Sequence, residues 1–403
     1  MSDFNARHVI EALRSGIPSR AVGAYFSEAR PGIVRKIGER MDAVRNTGRS
    51  DGMIFTGRYG EGKTHLLNTV FNTASTSNMV VSYISLGKES PVDKPYLLYQ
   101  KLMANTYLPG AEQPGFRTKL EALTQGSNIA GELLAYAARE LETDKLYFLL
   151  RAYLGTQEED ERALFLGDLE GDFTTGAVIK RSFRRVCGKP AKFNQNFSKR
   201  KHGMDYFYFI SHLFRLMGYD GWVLLFDEAE LIGRMGKQTR VKSYSAMQAF
   251  LKPSAKLEGV FSLFAFSASF VEDVIDKKHE FANAEAAFAS DPEALKSANA
   301  TLNAIIAAPE LAPLTKDEII RVLTSIQDFH GRAYDWQPGI SPETIYAATE
   351  AGGYLLRTKI RAAIEFFDQL YRYGQAGKVR ITELGREAFD EDDVPELPDM
   401  NDL

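Results

Sequence analysis

The twelve residues from Met53 to Thr64 constrain this chain more than any others. They place the pattern G-x-x-x-x-G-K-T directly after an apolar run and directly before a helical pattern. Glycines let the backbone turn tightly, so that successive N–H groups can point at phosphate oxygens. Lys63 can reach the β- and γ-phosphates, and the Thr64 hydroxyl is placed to ligate Mg²⁺. The pattern therefore predicts a nucleoside triphosphate site, with ATP favoured, rather than a glycine-rich turn with a chance lysine.

The residues around this pattern are expected to form the nucleotide-binding loop. The helix predicted after Lys63 would add its N-terminal dipole to the anion site. The candidate nucleotide-contacting residues are Gly57, Arg58, Tyr59, Gly60, Glu61, Gly62, Lys63, Thr64 and His65.

A second motif follows an apolar run at residues 222–226, which predicts a buried central strand. Asp227 and Glu228 come directly after it, and α/β sheets bind ligands at the carboxyl ends of their strands. We expect Asp227 to hold Mg²⁺ together with Thr64, and Glu228 to polarise the attacking water. A solvated acidic pair capping a strand is the alternative.

Two further residues are candidates for the same site. A third apolar strand, residues 260–266, ends at Ser267, which could position water beside the γ-phosphate; Ser269 is the second choice. Near the C-terminal end of the chain, Arg357 or Arg361 could fold back onto phosphate oxygens, which guanidinium matches bidentately. An ordinary strand-ending serine and a helix-surface arginine are the alternatives.

The fold class follows from the order of the patterns. Strand and helix signals alternate from residue 51 to 86 and again from 205 to 266, which predicts a parallel sheet covered by helices. A helix is expected from Tyr96 to Tyr107. The predicted domains are a helical lead-in (1–50, broken at Gly16–Pro18), a nucleotide-binding domain (51–307) with a helical insertion at about 110–203, a helical lid (308–380) and an acidic disordered tail (387–403).

Composition limits the protein class. The 403 residues carry a net charge of −4, and 44% are hydrophobic, enough for real cores. A single cysteine, Cys187, excludes an intrachain disulfide and suits a reducing compartment. Charges interrupt the first thirty residues, and no apolar run reaches membrane-spanning length. We expect a cytoplasmic protein without a membrane segment.

Residues 173–203, here called the basic segment, contain no acidic residue. Cations neutralise nucleic-acid phosphates, and the interleaved Phe183, Phe193 and Phe197 could stack on bases. The alternative is a solvated loop that pairs with Glu158–Glu161 or with the acidic tail. By contrast, Tyr206, Phe207 and their neighbours recur at helical spacing and are expected to pack in the core. The candidate nucleic-acid contacts are Lys180, Arg181, Arg184, Arg185, Lys189, Lys192, Lys199, Arg200 and Lys201.

Together these motifs resemble AAA+ ATPases near the origin-recognition type and, more closely, the ATP-binding proteins of BREX phage-defence systems. The resemblance covers about residues 6–375 and includes four stretches of sequence. It implies a P-loop NTPase fold with a helical lid. The stretches are Ile10–Arg20, Gly57–Thr64, Phe226–Glu230 and Leu311–Thr315.

The resemblance also suggests how such a protein works. It implies an ATPase in phage defence that acts as a homo-oligomer or with partners such as a helicase or a methyltransferase. Double-stranded DNA is the expected nucleic acid. Arg234 and Arg240 are the candidates for an arginine that completes a neighbouring subunit's site. The alternatives are a nucleotide-gated scaffold that hydrolyses slowly and an unrelated P-loop signalling ATPase.

Overall fold

A computed structural model of the chain describes residues 3–15, 30–350 and 356–376. The helix break predicted at Gly16–Pro18 and the acidic tail predicted at 387–403 lie outside these residues. None of the helices that the structure describes combines the length and apolar character needed to cross a bilayer.

The centre of the molecule is a five-stranded sheet in the order β1-β5-β4-β2-β3. The first four of these strands are parallel, and β3 runs antiparallel to β2 at the edge. Beyond β1, the amide of Leu311 donates to the carbonyl of Thr56 at 2.7 Å. The predicted α/β fold is therefore confirmed. The strands are β1 (Asp51–Gly57), β2 (Met79–Ser85), β3 (Thr106–Tyr107), β4 (Gly221–Asp227) and β5 (Val260–Ser267).

Helices make up most of the remaining described structure. Short π-helical turns at Asp168–Asp172 and Val271–Asp276 and a 3-10 helix at Ala229–Arg234 connect some of them. The helices are α1 (Asp3–Ser15), α2 (Pro31–Thr47), α3 (Lys63–Thr76), α4 (Pro95–Ala104), α5 (Arg117–Glu121), α6 (Asn128–Arg139), α7 (Lys145–Gly155), α8 (Glu159–Gly167), α9 (Gly176–Cys187), α10 (Lys199–Leu216), α11 (Lys237–Leu251), α12 (Glu280–Ala287), α13 (Pro292–Ile306), α14 (Lys316–Tyr334), α15 (Pro342–Thr349) and α16 (Leu356–Tyr373).

The sheet is buried on both faces because its strands are apolar at almost every position. Successive side chains point to opposite faces. Phe55 and Leu225 join the core formed with α2 and α3, whereas Ile54 and Phe226 join the core formed with α10 and α11. This three-layer packing fixes the carboxyl ends of the parallel strands along one edge.

The segment between β3 and β4 contains only helices among its regular elements, as the sequence predicts. One predicted boundary is wrong: the helix expected from Tyr96 to Tyr107 ends at Ala104. Thr106 leaves the helix to pair with Ser82 of β2, and their hydroxyl oxygens lie 2.6 Å apart in the interior. The hydrogen bonds between β2 and β3 stabilise a strand at Thr106 and Tyr107, although the helical pattern of the sequence continues through these residues.

The helical segment contains a fully buried ion pair. Lys145 Nζ lies 2.8 Å from Asp168 Oδ2, and the two side chains are 1% and 0% exposed. Tyr206, in the predicted core run on α10, accepts from Lys145 at 2.7 Å and donates to Asp168. The Phe197 ring lies 4.3 Å from the ammonium. These contacts join α7, the turn after α8, and α10.

The C-terminal helices α14, α15 and α16 pack together with α1, and we call these four helices the C-terminal bundle. Their apolar side chains form a core separate from the two cores of the sheet. Arg14 of α1 donates to Asp368 at 2.9 Å, and Asp368 accepts from His330 Nε2 at 3.0 Å. The predicted lead-in thus divides: α1 packs with the bundle, and α2 with the sheet.

We expect Asp368→Asn to lower the free energy of unfolding by about 1–2 kcal/mol, since charged hydrogen bonds are lost. Burial alone would raise the pKa of Asp368, but the His330 hydrogen bond and the Arg14 charge outweigh it and lower this pKa. The stabilisation is therefore present above the unfolded-state pKa of about 4 and is lost as the pH falls through the lower folded-state value. Thermal unfolding from pH 6 to 3 should show a steeper loss of stability in the wild type than in the variant. Equal slopes would contradict this origin.

Candidate nucleotide-binding site

The G-x-x-x-x-G-K-T pattern forms the junction between β1 and α3, as the sequence predicts. Gly60 and Gly62 adopt φ values of 77° and 95°, in the left-handed region that glycine enters without steric cost. A Cβ at Gly57 would lie 3.1 Å from the Leu311 side chain and 3.2 Å from that of Lys63. The glycines are thus required by the backbone path and by close packing.

The backbone of the loop is held by contacts of its own and by Arg30, which lies outside it. The amide of Arg58 donates to Glu61 Oε2 at 3.0 Å. Arg30 donates to the carbonyl of Glu61 at 2.6 Å and, through its other terminal nitrogen, to the carbonyl of Ala312. Arg30 was not singled out from the sequence, because nothing near residue 30 indicates a partner some thirty residues later.

Thr64 and Asp227 come together although 163 positions separate them. The Thr64 hydroxyl donates to Asp227 Oδ2 at 2.7 Å, and the Tyr83 hydroxyl donates to the same oxygen at 2.7 Å. Burial, followed by the negative charge of Asp227, raises the pKa of Tyr83, so this phenol stays a donor. The sequence did not reveal Tyr83; the only signal was its place near the end of a strand beside β4.

Glu228 follows Asp227 in an unusual backbone conformation, with a φ of 52°. Its amide donates to Asp227 Oδ1 at 2.9 Å, which ties the two acidic residues together. Non-glycine residues adopt this conformation at a cost and often do so at functional sites. The strained turn places Glu228 at the carboxyl end of β4 and starts the 3-10 helix Ala229–Arg234.

The Lys63 ammonium contacts two groups among the residues that the structure describes. It donates to the carbonyl of Gly57 at 3.1 Å and lies 3.6 Å from Glu230 Oε1. Burial raises the pKa of Glu230, and the charge of Lys63 opposes this effect. Glu230 was not predicted as a site residue, although it stands two positions after Glu228 in the acidic run.

The strand order places the serine candidates beside the loop. β5 lies between β1 and β4, and Ser267 is in register with Gly57. The amide of Ala268 donates to the Gly57 carbonyl at 3.1 Å. The hydroxyl oxygens of Ser267 and Ser269 lie 3.1 Å apart. Both serines therefore lie at the strand ends that carry the phosphate loop and the acidic pair.

The arginine candidates differ in their exposure and in the residues that they contact. Arg357 reaches the loop, where its guanidinium donates to the Tyr59 hydroxyl at 3.0 Å. Arg240 is only 5% exposed and forms an ion pair with Glu280 at 2.8 Å, so the suggestion that it acts on a neighbouring subunit is wrong. Arg234 is exposed at the end of the 3-10 helix.

These residues fit a magnesium–nucleotide complex. The hydroxyl of Thr64 and the carboxylate of Asp227 are hard oxygen ligands of the kind Mg²⁺ prefers, and they meet at 2.7 Å. The loop brings a lysine and the start of a fourteen-residue helix to the same place, where a phosphate group is stabilised.

All nine cations of the basic segment are exposed. Arg185 forms ion pairs with Glu161 and Glu158, and Lys201 lies 3.2 Å from Glu142. The predicted alternative, pairing with Glu158–Glu161, therefore applies to Arg185. Lys180, Arg181 and Arg184 are exposed on α9, and the Lys180 ammonium lies 4.7 Å from the centre of the Phe193 ring.

The phenylalanines of the basic segment turn inward instead of offering free ring faces. Phe183 is buried, Phe193 stacks on Phe148 with ring centroids 5.3 Å apart, and Phe197 packs against Lys145. The expectation that these rings stack on bases is wrong, because Phe183 on α9 and Phe193 and Phe197 in the connection to α10 pack against the helical core.

Comparison with known proteins agrees with this geometry. A family model described as BREX system ATP-binding protein BrxC/D matches residues 1–125 and 142–372. A search of curated proteins found no match. The matched residues include the phosphate loop, the acidic pair and Arg357, and they cover most of the chain. The chain therefore belongs to the BrxC/D family of BREX system ATP-binding proteins.

Proposed function

We propose that this protein is an AAA+-type ATPase that binds Mg²⁺–ATP and hydrolyses it in the cytoplasm during phage defence. The observation that carries the proposal is the 2.7 Å contact between Thr64 of the phosphate loop and Asp227 of the acidic pair. It brings the phosphate-binding element and the metal-binding element to one edge of the sheet. Family membership supports the ATP-binding part of the proposal.

Each residue then has a role that its position supports. Amides of residues 57–65 and the ammonium of Lys63 would hold the phosphates, and Thr64 and Asp227 would hold Mg²⁺, which supplies charge neutralisation when bound. Glu228 would orient and deprotonate the attacking water. Ser267, at the neighbouring strand end, would position that water.

The C-terminal bundle would act as the lid of the AAA+ fold. Arg357, at the start of α16, donates to Tyr59 in the phosphate loop. Its guanidinium is therefore close to the residues that would bind phosphate, as an arginine of the lid must be. The fork of its guanidinium suits phosphate oxygens. Arg357 would therefore link the state of the nucleotide to the position of the bundle.

The proposed partner of the basic segment is double-stranded DNA. Lys180, Arg181 and Arg184 lie exposed on one helix whose opposite face is buried by Ile179 and Phe183. Such a row of cations neutralises phosphates without reading bases. Because the rings turn inward, the contact would be electrostatic and independent of sequence.

ATP turnover by the full chain, with and without double-stranded DNA, tests this function. We expect DNA to stimulate turnover, and the Lys180/Arg181/Arg184→Ala variant to lose the stimulation and to bind DNA with a salt slope lower by about 3. Arg185 is left intact because it pairs with Glu161. The matched control is Lys36/Lys119/Lys296→Ala, which removes three exposed lysines elsewhere. Equal losses in both variants would contradict a specific role for α9.

One observation favours a second function, a nucleotide-gated scaffold that recruits a helicase or methyltransferase and hydrolyses ATP slowly. The burial of Arg240 against Glu280 removes one of the two arginines proposed to complete a neighbouring subunit's site. Turnover that stays low with DNA and rises only with a partner protein would support the scaffold over the homo-oligomeric motor.

A further inference from the structure

Glu230 contacts the lysine of the phosphate loop. Its Oε1 lies 3.6 Å from Lys63 Nζ, and the side chains of Glu230 and Lys63 are 26% and 10% exposed. Its other oxygen, Oε2, is buried and accepts no hydrogen bond from the residues that the structure describes. One oxygen of this carboxylate therefore faces the lysine, and the other is left without a donor.

The contact engages the same ammonium that phosphate would need. A carboxylate and a phosphate that share one partly buried lysine repel each other, and shielding by water is reduced there. Glu230 also faces the negative charges of Asp227 and Glu228. If Lys63 turned to another anion, Glu230 would remain near two carboxylates with its main cation engaged elsewhere.

We propose that Glu230 is the counter-charge of Lys63 in the nucleotide-free site and that a bound γ-phosphate takes its place. Glu230 would then be a positioning residue that weakens ATP binding and so sets the preference between ATP and ADP. The proposal rests on the nucleotide site proposed above. It assigns a role to an acidic residue that the hydrolytic mechanism does not use.

The position of Glu230 gives its displacement a structural consequence. It lies on the 3-10 helix Ala229–Arg234, which connects β4 to the turn before α11. The carbonyl of Gly233 on this helix accepts from Lys278 at 3.1 Å. Release of Glu230 from Lys63 would remove a contact that holds this helix to the phosphate loop, whereas the Gly233–Lys278 hydrogen bond would remain.

Calorimetric titration of Mg²⁺–ATP and Mg²⁺–ADP into the full chain tests the proposal with Glu230→Gln. Glutamine keeps the shape and removes the charge, so the dissociation constant for ATP should fall about tenfold. The constant for ADP should fall less, because ADP lacks the phosphate that competes most directly. A side chain that only supported the fold would give weaker binding of both nucleotides.

Two controls make the outcome specific. Glu272→Gln removes the same charge from an exposed residue after β5, and it should leave both affinities unchanged. Lys63→Ala should lose both nucleotides. Thermal unfolding of each variant checks that the fold is retained.

Two results would overturn the role of Glu230 while leaving the site intact: ATP affinity that is unchanged or weaker in Glu230→Gln, or an equal gain in Glu272→Gln. A different result would remove the site itself. If the wild type binds neither nucleotide, or if Lys63→Ala binds as well as the wild type, the nucleotide site proposed above is wrong and the Glu230 proposal falls with it.

Discussion

Replacing Glu228 with glutamine is expected to lower ATP turnover about 100-fold or more while leaving nucleotide binding intact. Glutamine keeps the size and hydrogen-bonding reach of the side chain but cannot take a proton from water. The backbone at position 228 has a φ of 52°. Glutamate and glutamine adopt this conformation at similar cost, so the substitution adds no backbone strain. Single-turnover hydrolysis and equilibrium binding, measured on the same preparation, separate the two effects.

The result also bears on assembly. Since Glu228→Gln should retain ATP, any oligomer that forms in the ATP state should accumulate, as mass measurement with and without ATP would reveal. Asp227→Asn is the contrasting variant, because it weakens the residue that Thr64 and Tyr83 contact and should lose Mg²⁺-dependent binding. If Glu228→Gln turns over ATP at the wild-type rate, Glu228 is not the hydrolytic residue.

Replacing Lys145 with methionine is expected to lower the free energy of unfolding by about 3–5 kcal/mol. The substitution leaves the carboxylate of Asp168, which is 0% exposed, without its cation. Burial raises the pKa of Asp168 and lowers that of Lys145, and each charge offsets the effect on the other. Denaturant unfolding, followed by circular dichroism, measures the loss.

A second substitution tests the cause. Lys145→Met/Asp168→Asn removes both charges and keeps an acceptor for Tyr206, so it should recover at least about half of the loss. The matched control is Lys296→Met at an exposed site, expected to stay within about 0.5 kcal/mol of the wild type. If the double variant is no more stable than Lys145→Met, the uncompensated charge is not the source of the loss.

The parts of this molecule that local pattern determines could be predicted from the sequence. The phosphate loop depends on glycines and a lysine at fixed spacing, and β4 and β5 are apolar along almost their whole length because both faces of the sheet are covered. Parallel strands bring their carboxyl ends to one edge, so the meeting of Thr64 with Asp227 followed from the two motifs together with the fold class.

Features that depend on long-range packing could not be predicted in this way. The partner of Arg240 is forty residues away, and the association of α1 with the C-terminal bundle joins residues more than 300 positions apart. Phe193 and Phe197 resembled a stacking surface because composition does not reveal which side of a segment faces the core. The basic character of that segment and its possible pairing with Glu158–Glu161 were evident, whereas the sequence could not show that Arg185 is the cation that pairs.

Because α1 packs on the C-terminal bundle, the described elements imply two connections between the bundle and the sheet unit. Residues 16–30 join α1 to α2, and residues 307–315 join α13 to α14. A domain joined to the rest of a protein by one linker can rotate in any direction. A domain joined by two linkers rotates chiefly about the line between them. Arg30 is the last residue of the first connection. It donates to the carbonyl of Ala312 in the second connection and to the carbonyl of Glu61 in the phosphate loop. The axis of such a rotation would therefore run beside the phosphate loop.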